Sequence, residues 1–486
     1  MDFERLYING QWVPGSTGEF IDVEDPARRV FFARVPRGAP ADVDRAAKAA
    51  KAAFPAWAET PLPGRIALME KFLAIFRSFE DEIIDLEIKE LGAPWSFAKS
   101  SHCEYQYTRV RSYIDLAPQV PLVEKMPLST TYRRPVGVVG CITPWNYPLG
   151  QVVQKVVPAL LMGNTVMLKP SQHTPLSCYL LADAFHRAGF PAGVFNMVTG
   201  RGGEVGDAMA AHPDIDMISF TGSTQGGIQV ARSALGQVKR ITLELGGKSP
   251  DVFLPMDDYD TAVRCCFNSI FLNSGQTCTA LSRLIIPKSD EAKIEEALVR
   301  IAAEYTVGDP RDHNVKVGPL ASLAQYEKVR GYIERGIKDG ARVLVGGVPD
   351  GPDHGYYVRP TIFTGVSPDS VIAREEIFGP VLCVFPYDTI EEALALANDT
   401  PYGLNAAVYG PKDEAIALAR RIHAGNVYIN DSPRDTAAPF GGWKMSGIGR
   451  EGGVYGMMEF TQQTALFDTC KECSCTVRKQ ATENKR

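Results

Sequence analysis

The sequence contains no apolar run that reaches the roughly 18–20 residues needed to cross a bilayer. Its first residues, 1–5, lack the apolar core of a signal peptide. The ten cysteines are scattered without the regular spacings of a disulfide framework, a distribution that favours reduced thiols. We therefore expect a soluble, cytoplasmic protein that makes no membrane contact.

The sequence also lacks an excess of basic charge. Its 51 Lys and Arg residues are outnumbered by 57 Asp and Glu residues, which gives a net charge of −6 at pH 7. Proteins that bind nucleic acid through its phosphates usually carry a basic patch. The composition therefore argues against nucleic acid and anionic membranes as partners. Internal repeats are absent too, and 486 residues leave room for two or three domains.

The first part of the sequence predicts a hairpin followed by helices. Residues 6–13 contain apolar and aromatic residues on both sides of Asn9-Gly10, a dipeptide typical of tight hairpin turns. Helical spacing of apolar residues then predicts one helix over 41–54 and one long helix over 63–91.

From residue 130 onward, short β-branched strands alternate with helices, a pattern typical of a parallel α/β sheet. In the first such region, strands are predicted at 136–142, 165–168, 195–198, 217–220 and 241–245, with helices at 149–161, 175–188, 204–211 and 226–234. A second α/β region is predicted after residue 248, with strands near 251–254, 284–287 and 381–386 and helices near 261–272, 291–305, 322–339 and 390–397.

One cysteine lies where a nucleophile is expected. An apolar helical segment runs into the small polar turn 273–276, and Cys278 follows on the far side of that turn. A thiol in this position is held by a packed element yet open to a cleft. Because a lone cysteine is more often a small buried hydrophobic residue, its interpretation depends on the motifs around it.

Several short motifs occur in a fixed order around this cysteine, and each one alone is only suggestive. They are TPWNYP (143–148), KPS (169–171), FTGSTQGG (220–227), LELGGKS (243–249), FLNSGQTCT (271–279), EEIFGP (375–380) and PFGGWKMSG (439–447). In this order and spacing they resemble the NAD(P)-dependent aldehyde dehydrogenase superfamily over essentially the whole chain.

The resemblance implies that the protein oxidises a small-molecule aldehyde to the carboxylic acid with NAD or NADP. Cys278 matches the family's nucleophile, which forms a thiohemiacetal and then a thioester. Glu244 matches the general base, and its apolar neighbours predict a partly desolvated carboxylate with a raised pKa. Asn146 matches the side chain that, with the Cys278 backbone N–H, stabilises the oxyanion. Gln462 occupies the position where some members have a second candidate base, so this role is assigned to Glu244 alone.

The resemblance also implies a dinucleotide site at the glycine-containing turn 220–227. This turn opens a helix whose N-terminus would face a pyrophosphate, although its spacing departs from G-x-G-x-x-G. Many members have glutamate where this chain has Gln172, so we predict that NADP is accepted as well as NAD. The implied cofactor-binding residues are Trp145, Lys169, Gln172, Gly222, Ser223, Gly227, Glu376 and Phe378, and no metal site is predicted.

The motifs indicate less about the substrate pocket than about the catalytic and cofactor-binding residues. By resemblance, the residues that approach the aldehyde are Tyr147, Gln151, Gln154, Thr277, Thr279, Arg434 and Phe440. Several members are aromatic or aliphatic where this chain has Gln151, Gln154 and Arg434. This difference favours a polar or anionic substrate, although an arginine in a loop is more often solvated or paired.

The fold implied by the resemblance is α/β. It has a Rossmann-like cofactor domain over 1–116 and 136–247 and an α/β catalytic domain over 248–446. A small β oligomerisation element with a C-terminal segment is expected over 117–135 and 447–486. Its strands pair across subunits in the family, so a homodimer or homotetramer is expected. The tail cysteines at 470, 473 and 475 lack the partners of a metal site and are interpreted as incidental thiols.

Two other functions remain open. In a CoA-acylating semialdehyde dehydrogenase, CoA rather than water would resolve the thioester, and members of that kind typically lack the base glutamate. A non-enzymatic binding or structural relative of the fold is the second alternative. The presence of Cys278, Glu244 and Asn146 together disfavours both.

Overall fold

The computed structural model describes residues 2–467, so the tail cysteines lie outside the described residues. The strands are β1 Leu6–Ile8, β2 Gln11–Val13, β3 Phe20–Asp25, β4 Val30–Pro36, β5 Val123–Lys125, β6 Thr130–Pro135, β7 Val138–Ile142, β8 Thr165–Lys169, β9 Phe195–Met197, β10 Met217–Thr221, β11 Arg240–Glu244, β12 Pro250–Phe253, β13 Arg283–Pro287, β14 Arg342–Val345, β15 Thr361–Thr364, β16 Val381–Tyr387, β17 Asn405–Tyr409, β18 Asn426–Ile429, β19 Gly447–Ile448 and β20 Thr461–Leu466.

The α-helices are α1 Pro40–Glu59, α2 Leu62–Arg77, α3 Glu80–Leu91, α4 Trp95–Phe97, α5 Tyr105–Leu116, α6 Pro148–Leu161, α7 Ser177–Ala188, α8 Asp207–Ala211, α9 Thr224–Leu235, α10 Asp260–Ile270, α11 Glu291–Ala302, α12 Leu323–Lys338, α13 Val371–Arg374, α14 Ile390–Asn398, α15 Lys412–Ala419 and α16 Gly453–Glu459. Two π-helical segments, Ala98–Glu104 and Gly202–Gly206, lead into α5 and α8. Within residues 2–467, the helices are too short or too polar to span a bilayer.

The first sheet has the strand order β19-β11-β10-β7-β8-β9-β1-β2. Its central strands from β11 to β9 are parallel. Strands β7, β8, β9 and β10 are buried at every position, as expected for a parallel sheet covered by helices on both faces. The predicted strands of this region are confirmed, with small shifts at their ends.

The N-terminal hairpin is also confirmed and forms one edge of this sheet through β1 and β9. Its turn residues Asn9 and Gly10 have φ values of 52° and 73°, which both lie in the left-handed region. This is the turn geometry that matches the twist of two paired strands, and Asn-Gly adopts it readily.

The prediction of one long helix over 63–91 is wrong, because the chain forms two helices, α2 and α3. The Ser78 hydroxyl donates to the Ile75 carbonyl at 2.6 Å and ends α2. The acidic residues Glu80, Asp81 and Glu82 then fill the first turn of α3, where carboxylates stabilise a helix N-terminus. Apolar residues keep their helical spacing across the break between α2 and α3, so the sequence pattern does not reveal the break.

The second sheet has the strand order β14-β15-β16-β13-β12-β17-β18. Strands β15 to β18 in this order are parallel, and β14 is an antiparallel edge. The three predicted strands, β12, β13 and β16, are confirmed and occupy its centre. Strands β14, β15, β17 and β18, of four or five residues each, were not predicted.

The two sheets come together at the segment that carries Glu244. This residue is the last of β11, and the chain crosses to the second sheet over 245–249 before β12 begins. Strand β19 returns from the C-terminal part of the chain and pairs Gly447 with Glu244. A separate three-stranded sheet, β20-β6-β5, is formed by pairing within this chain.

Candidate active site

Cys278 follows a turn whose backbone is held in an uncommon conformation. The φ values of Asn273, Ser274 and Gly275 are 52°, 54° and 74°, so three consecutive residues are left-handed. Such a conformation costs of order 1–3 kcal/mol at each non-glycine residue and persists only where its surroundings enforce it. A Cβ at Gly275 would lie 2.1 Å from the Gly379 carbonyl carbon, so this position requires glycine. The left-handed turn lets the chain reverse between α10 and Cys278.

Side-chain hydrogen bonds stabilise this turn from both sides. The Asn273 amide donates to the Asn146 carbonyl oxygen at 2.8 Å, and the Ser274 hydroxyl donates to the Gly318 carbonyl at 2.8 Å. The Gln276 side-chain oxygen accepts the Ala321 N–H at 2.8 Å. The polar residues of the motif therefore position the cysteine, which is itself partly exposed.

Asn146 lies directly against the turn. Its side-chain amide is 3% exposed and donates one hydrogen to the Gln276 carbonyl at 2.9 Å. A carboxamide has two N–H donors, so the second is available to a group bound beside Cys278. This arrangement is compatible with an oxyanion donor, and that role of Asn146 stays a prediction.

Glu244 is the last residue of β11 and lies near enough to Cys278 for its charge to act on the thiol. It is 3% exposed, and neither carboxylate oxygen has a hydrogen-bond partner among the described residues. Its backbone is paired with Thr221 of β10 and Gly447 of β19. Gly441 leaves room for the carboxylate, since a Cβ there would lie 2.6 Å from Glu244 Oε1. The buried carboxylate is free to accept a proton.

The pKa of Glu244 is raised well above its ordinary value, chiefly by burial and then by the nearby negative charge of Glu451. Glu451 is 2% exposed and forms an ion pair with the fully buried Lys155. A second carboxylate is therefore buried near Glu244, and the assignment of the base to Glu244 alone stays a prediction. Gln462 lies on the exposed side of β20, and Glu451 is the second buried carboxylate.

The Cys278 thiol is neutral in this environment. Burial raises its pKa to about 12, and the carboxylates of Glu376 and Glu244 add to the rise, whereas Arg434 opposes it. Since the thiolate is the nucleophile, such a thiol needs a base that removes its proton. The raised pKa of Glu244 makes its ionised form a stronger base than an ordinary carboxylate, which suits this step.

A cleft of about 440 Å³ opens on one side of Cys278, between the two sheets. Its walls include seven of the eight residues predicted to bind a cofactor, namely Trp145, Lys169, Gln172, Gly222, Ser223, Glu376 and Phe378. Gly227 is the exception. It packs against Leu245, where a Cβ would lie 2.5 Å from a Leu245 methyl carbon, so it seats α9 closely on β11.

The N-terminus of α9 forms one end of this cleft, where Gly222 and Ser223 line it. Ser223 caps the helix by accepting the Gly226 N–H at 3.1 Å. The remaining N–H groups of the first turn suit an anion. A Cβ at Gly222 would lie 2.5 Å from the Phe220 ring, so a larger residue would displace this turn.

The other end of the cleft is closed by Glu376 and Phe378. The Glu376 carboxylate accepts the Gly247 N–H at 3.0 Å, and a Cβ at Gly246 would lie 2.4 Å from that carboxylate. Phe378 has a φ of 62°, an outlier for a bulky residue, and its carbonyl accepts the Gln325 amide at 2.6 Å. Backbone strain is thus concentrated on both sides of Cys278.

A second cavity of about 240 Å³ opens on the other side of Cys278. All seven residues predicted to approach the aldehyde line it: Tyr147, Gln151, Gln154, Thr277, Thr279, Arg434 and Phe440. The hydroxyls of Tyr147 and Thr277 are hydrogen-bonded at 2.9 Å. The two cavities meet at Cys278, which lines both of them.

Sequence reasoning missed the wall that precedes and begins α5. It consists of Phe97, Ser101, Tyr105, Gln106 and Arg109. Polar residues in a helix normally indicate a solvent-exposed face, so the residue types conceal the cavity. The π-helical segment Ala98–Glu104 forms part of this wall through Ser101. Such segments are frequent at functional sites.

Comparisons with known proteins agree with this architecture. The model of the aldehyde dehydrogenase family matches residues 12–466. The curated 3-succinoylsemialdehyde-pyridine dehydrogenase of a Pseudomonas species is 41% identical over 470 residues, covering 96% of this chain and 98% of the relative.

Solved structures show the same fold. A Cys-to-Ala mutant of aldehyde dehydrogenase C from Pseudomonas syringae, complexed with NAD+ and octanal, superposes with a TM-score of 0.94 at 43% identity and covers 96% of both chains. An aldehyde dehydrogenase from Mycobacterium tuberculosis, complexed with NAD+, gives a TM-score of 0.94 at 39% identity, covering 96% of this chain and 98% of that one.

Proposed function

Because the chain belongs to the aldehyde dehydrogenase family and oxidises an aldehyde to the carboxylic acid with NAD or NADP, we propose that Cys278, Glu244 and Asn146 carry the reaction. The observation that supports these assignments is the meeting of two cavities at Cys278. One cavity suits an extended dinucleotide and the other a small aldehyde, so hydride can pass between them beside the sulfur.

In the first step, the Cys278 thiolate attacks the aldehyde carbonyl and forms a thiohemiacetal. Glu244 removes the thiol proton, which the raised pKa of both groups makes necessary and feasible. The negative oxygen is stabilised by the free N–H of Asn146 and the backbone N–H of Cys278. One such donor typically contributes about 3–4 kcal/mol to transition-state stabilisation.

NAD or NADP supplies the hydride acceptor when it is bound. This chain's contribution is to orient it: the N-terminus of α9 suits the pyrophosphate, and Lys169 and Gln172 suit the adenosine ribose. Glu376 and Phe378 would hold the nicotinamide end next to Cys278. The size of the cleft and the residues that line it fit such a ligand.

Hydrolysis of the thioester is the second task of Glu244. Its carboxylate is buried without a hydrogen-bond partner among residues 2–467, so it is available to take a proton from water. Glu451 and Lys155 lie close enough to influence its charge.

A panel of aldehydes assayed by NADH or NADPH absorbance tests this function. Turnover without CoA is expected, with release of the free acid. If turnover instead required CoA, the CoA-acylating alternative would replace this proposal. Absence of turnover with every aldehyde and both cofactors, in a folded protein that binds NAD, would favour a non-enzymatic relative.

We expect NADP to be accepted as well as NAD, because Gln172 replaces a glutamate that would repel the 2′-phosphate. Two unit charges about 5 Å apart at an effective dielectric of about 20 repel by about 3 kcal/mol before screening. Lys169, whose pKa burial lowers to about 8, remains largely protonated at neutral pH and attracts the phosphate. Gln172→Glu is therefore expected to lower the NADP-to-NAD ratio of kcat/KM by about 10- to 100-fold.

Gln229→Glu provides the control for this measurement. It makes the same chemical change on the exposed face of α9, outside the cleft, and should leave the ratio unchanged. An NADP activity in the unmodified protein more than about a thousandfold below the NAD activity, a gap above about 4 kcal/mol, would contradict the expectation.

The pH dependence of turnover should respond to Glu451. Glu244 is a base only when ionised, so turnover should rise with pH through its raised pKa. Glu451→Gln removes the neighbouring negative charge while the Lys155 cation remains, so the pKa of Glu244 should fall. We expect the rising limb of the kcat profile to move to lower pH.

The exposed Glu304, paired with Arg264, gives the matched control, since Glu304→Gln changes charge far from the site. A limb that stays in place or moves to higher pH in Glu451→Gln would show that Glu451 does not act through the charge of Glu244.

We also propose a homodimer or homotetramer assembled through the sheet β20-β6-β5. Its edge strands β5 and β20 leave backbone groups unpaired among the described residues. Apolar side chains are exposed there, among them Val123, Leu128 and Phe467. Light scattering coupled to gel filtration measures the assembly, and a concentration-independent monomer would contradict it.

A further inference from the structure

Arg109 occupies an unusual place in the substrate cavity. It projects from α5, is 9% exposed, and lines the same cavity as Cys278. One guanidinium nitrogen donates to Gln106 Oε1 at 2.9 Å and to the Gly150 carbonyl at 2.8 Å. The guanidinium also lies 5.0 Å from the Tyr105 ring centroid. All these partners are neutral.

The buried guanidinium therefore has no anionic partner within ion-pair distance among residues 2–467. Arginine stays protonated in proteins, so the positive charge persists despite the cost of burial. The pKa of Arg109 is lowered by this burial and by the positive charge of Arg434. Glu451 acts in the opposite direction, but its carboxylate is already paired with Lys155.

Arg434 adds a second positive charge to the same cavity. Its guanidinium lies 4.5 Å from the centroid of the Phe440 ring, and it is exposed. None of the residues that line the cavity is an aspartate or glutamate. Neutral donors from Gln106, Gln151 and other residues complete the wall. Two guanidinium groups thus face one cavity without a carboxylate in its lining.

We propose that this cavity binds an aldehyde that carries a carboxylate at its far end, and that Arg109 and Arg434 bind that carboxylate. The proposal deepens the proposed function and rests on it. A carboxylate between the two guanidiniums would neutralise their repulsion and give Arg109 the anionic partner it lacks. The aldehyde end would then reach Cys278, and the product would be a dicarboxylic acid.

The cavity size also limits this substrate. A volume of about 240 Å³ admits a short chain rather than a bulky ring system. Arg109 acts on affinity and specificity, not on the chemical steps, since the proton transfers are assigned to Glu244.

The experiment compares kcat/KM for an aldehyde with a terminal carboxylate, for its methyl ester, and for an unsubstituted aldehyde of equal chain length. In the unmodified protein the carboxylate form should be preferred by about tenfold or more. Arg109→Gln should reduce this preference by about 10- to 100-fold, the range for losing one charge-assisted contact. Arg109→Lys should keep part of the preference, and Arg434→Leu should also narrow it.

Arg111→Gln is the matched control. Arg111 lies on the same helix but is half exposed and paired with Glu70, outside the cavity. It should leave the preference unchanged. A dicarboxylate of product length should also inhibit the unmodified protein at about tenfold lower concentration than the monocarboxylate, which tests the site even if the Arg109 variants fail to fold.

These outcomes distinguish failure of the carboxylate-binding proposal from failure of the proposed function. Turnover of neutral aldehydes without any preference for the carboxylate form, or an equal loss on all three substrates in Arg109→Gln, would overturn the anion site alone. Absence of turnover with all three substrates would overturn the proposed function as well, and dicarboxylate binding would then be measured directly by calorimetry. No binding there would refute the site.

Discussion

Cys278→Ala is expected to abolish turnover while cofactor binding persists. The substitution removes the sulfur that forms the covalent thioester but no contact in the cofactor cleft beyond the thiol itself. The loss should exceed about 10⁴-fold, the scale seen when a hydrolase loses its covalent nucleophile. Turnover is measured by NADH or NADPH absorbance, and cofactor binding by calorimetry.

Cys265→Ala is the control for this variant. Cys265 is also a partly exposed free thiol, but it lies on α10 away from both cavities. Its replacement should leave turnover unchanged. Normal turnover in a folded Cys278→Ala protein, or loss of turnover in both variants, would refute the assignment of Cys278 as the nucleophile.

Glu244→Gln is expected to slow steady-state turnover by about 10²- to 10⁴-fold, the usual range for loss of a general base. The amide cannot accept a proton from the thiol or from water. If thioester hydrolysis is the step most affected, the acyl-enzyme should accumulate. Intact-protein mass spectrometry would then show a mass increase that is absent when Cys278 is also replaced.

A Glu451 variant tests whether Glu244 is the base, because Glu451 is the other buried carboxylate near Glu244. Retained turnover in Glu244→Gln together with its loss in Glu451→Gln would transfer the base role to Glu451. The surface variant Glu304→Gln should match the unmodified protein in both rate and mass.

Local patterns in the sequence determined much of the framework. Short, largely apolar runs predicted the parallel strands β7, β8 and β10, because a strand covered on both faces is buried at every position. Asn9-Gly10 predicted its hairpin, since this dipeptide accepts left-handed geometry at low cost. Such signals lie within a few neighbouring residues and need no knowledge of the fold.

The motif around Cys278 was also identified from the sequence. Its residue types match their roles in the turn. Gly275 stands where a Cβ would collide, and the side chains of Asn273 and Ser274 donate to the Asn146 and Gly318 carbonyls of neighbouring segments. The break between α2 and α3 was missed, however, because apolar periodicity crosses Ser78.

Only the tertiary structure decided which charges meet. Glu451 approaches Glu244 because β19 returns to the edge of the first sheet. Gln462, which occupies the position of a second candidate base in some family members, lies on β20 of the separate three-stranded sheet. Arg109 enters the substrate cavity because α5 follows a π-helical segment and packs on α6. A charged residue in an amphipathic helix has the same local signature on a solvated face as in a buried cavity. Long-range packing alone distinguishes the two, since it determines whether water or a bound ligand faces the side chain.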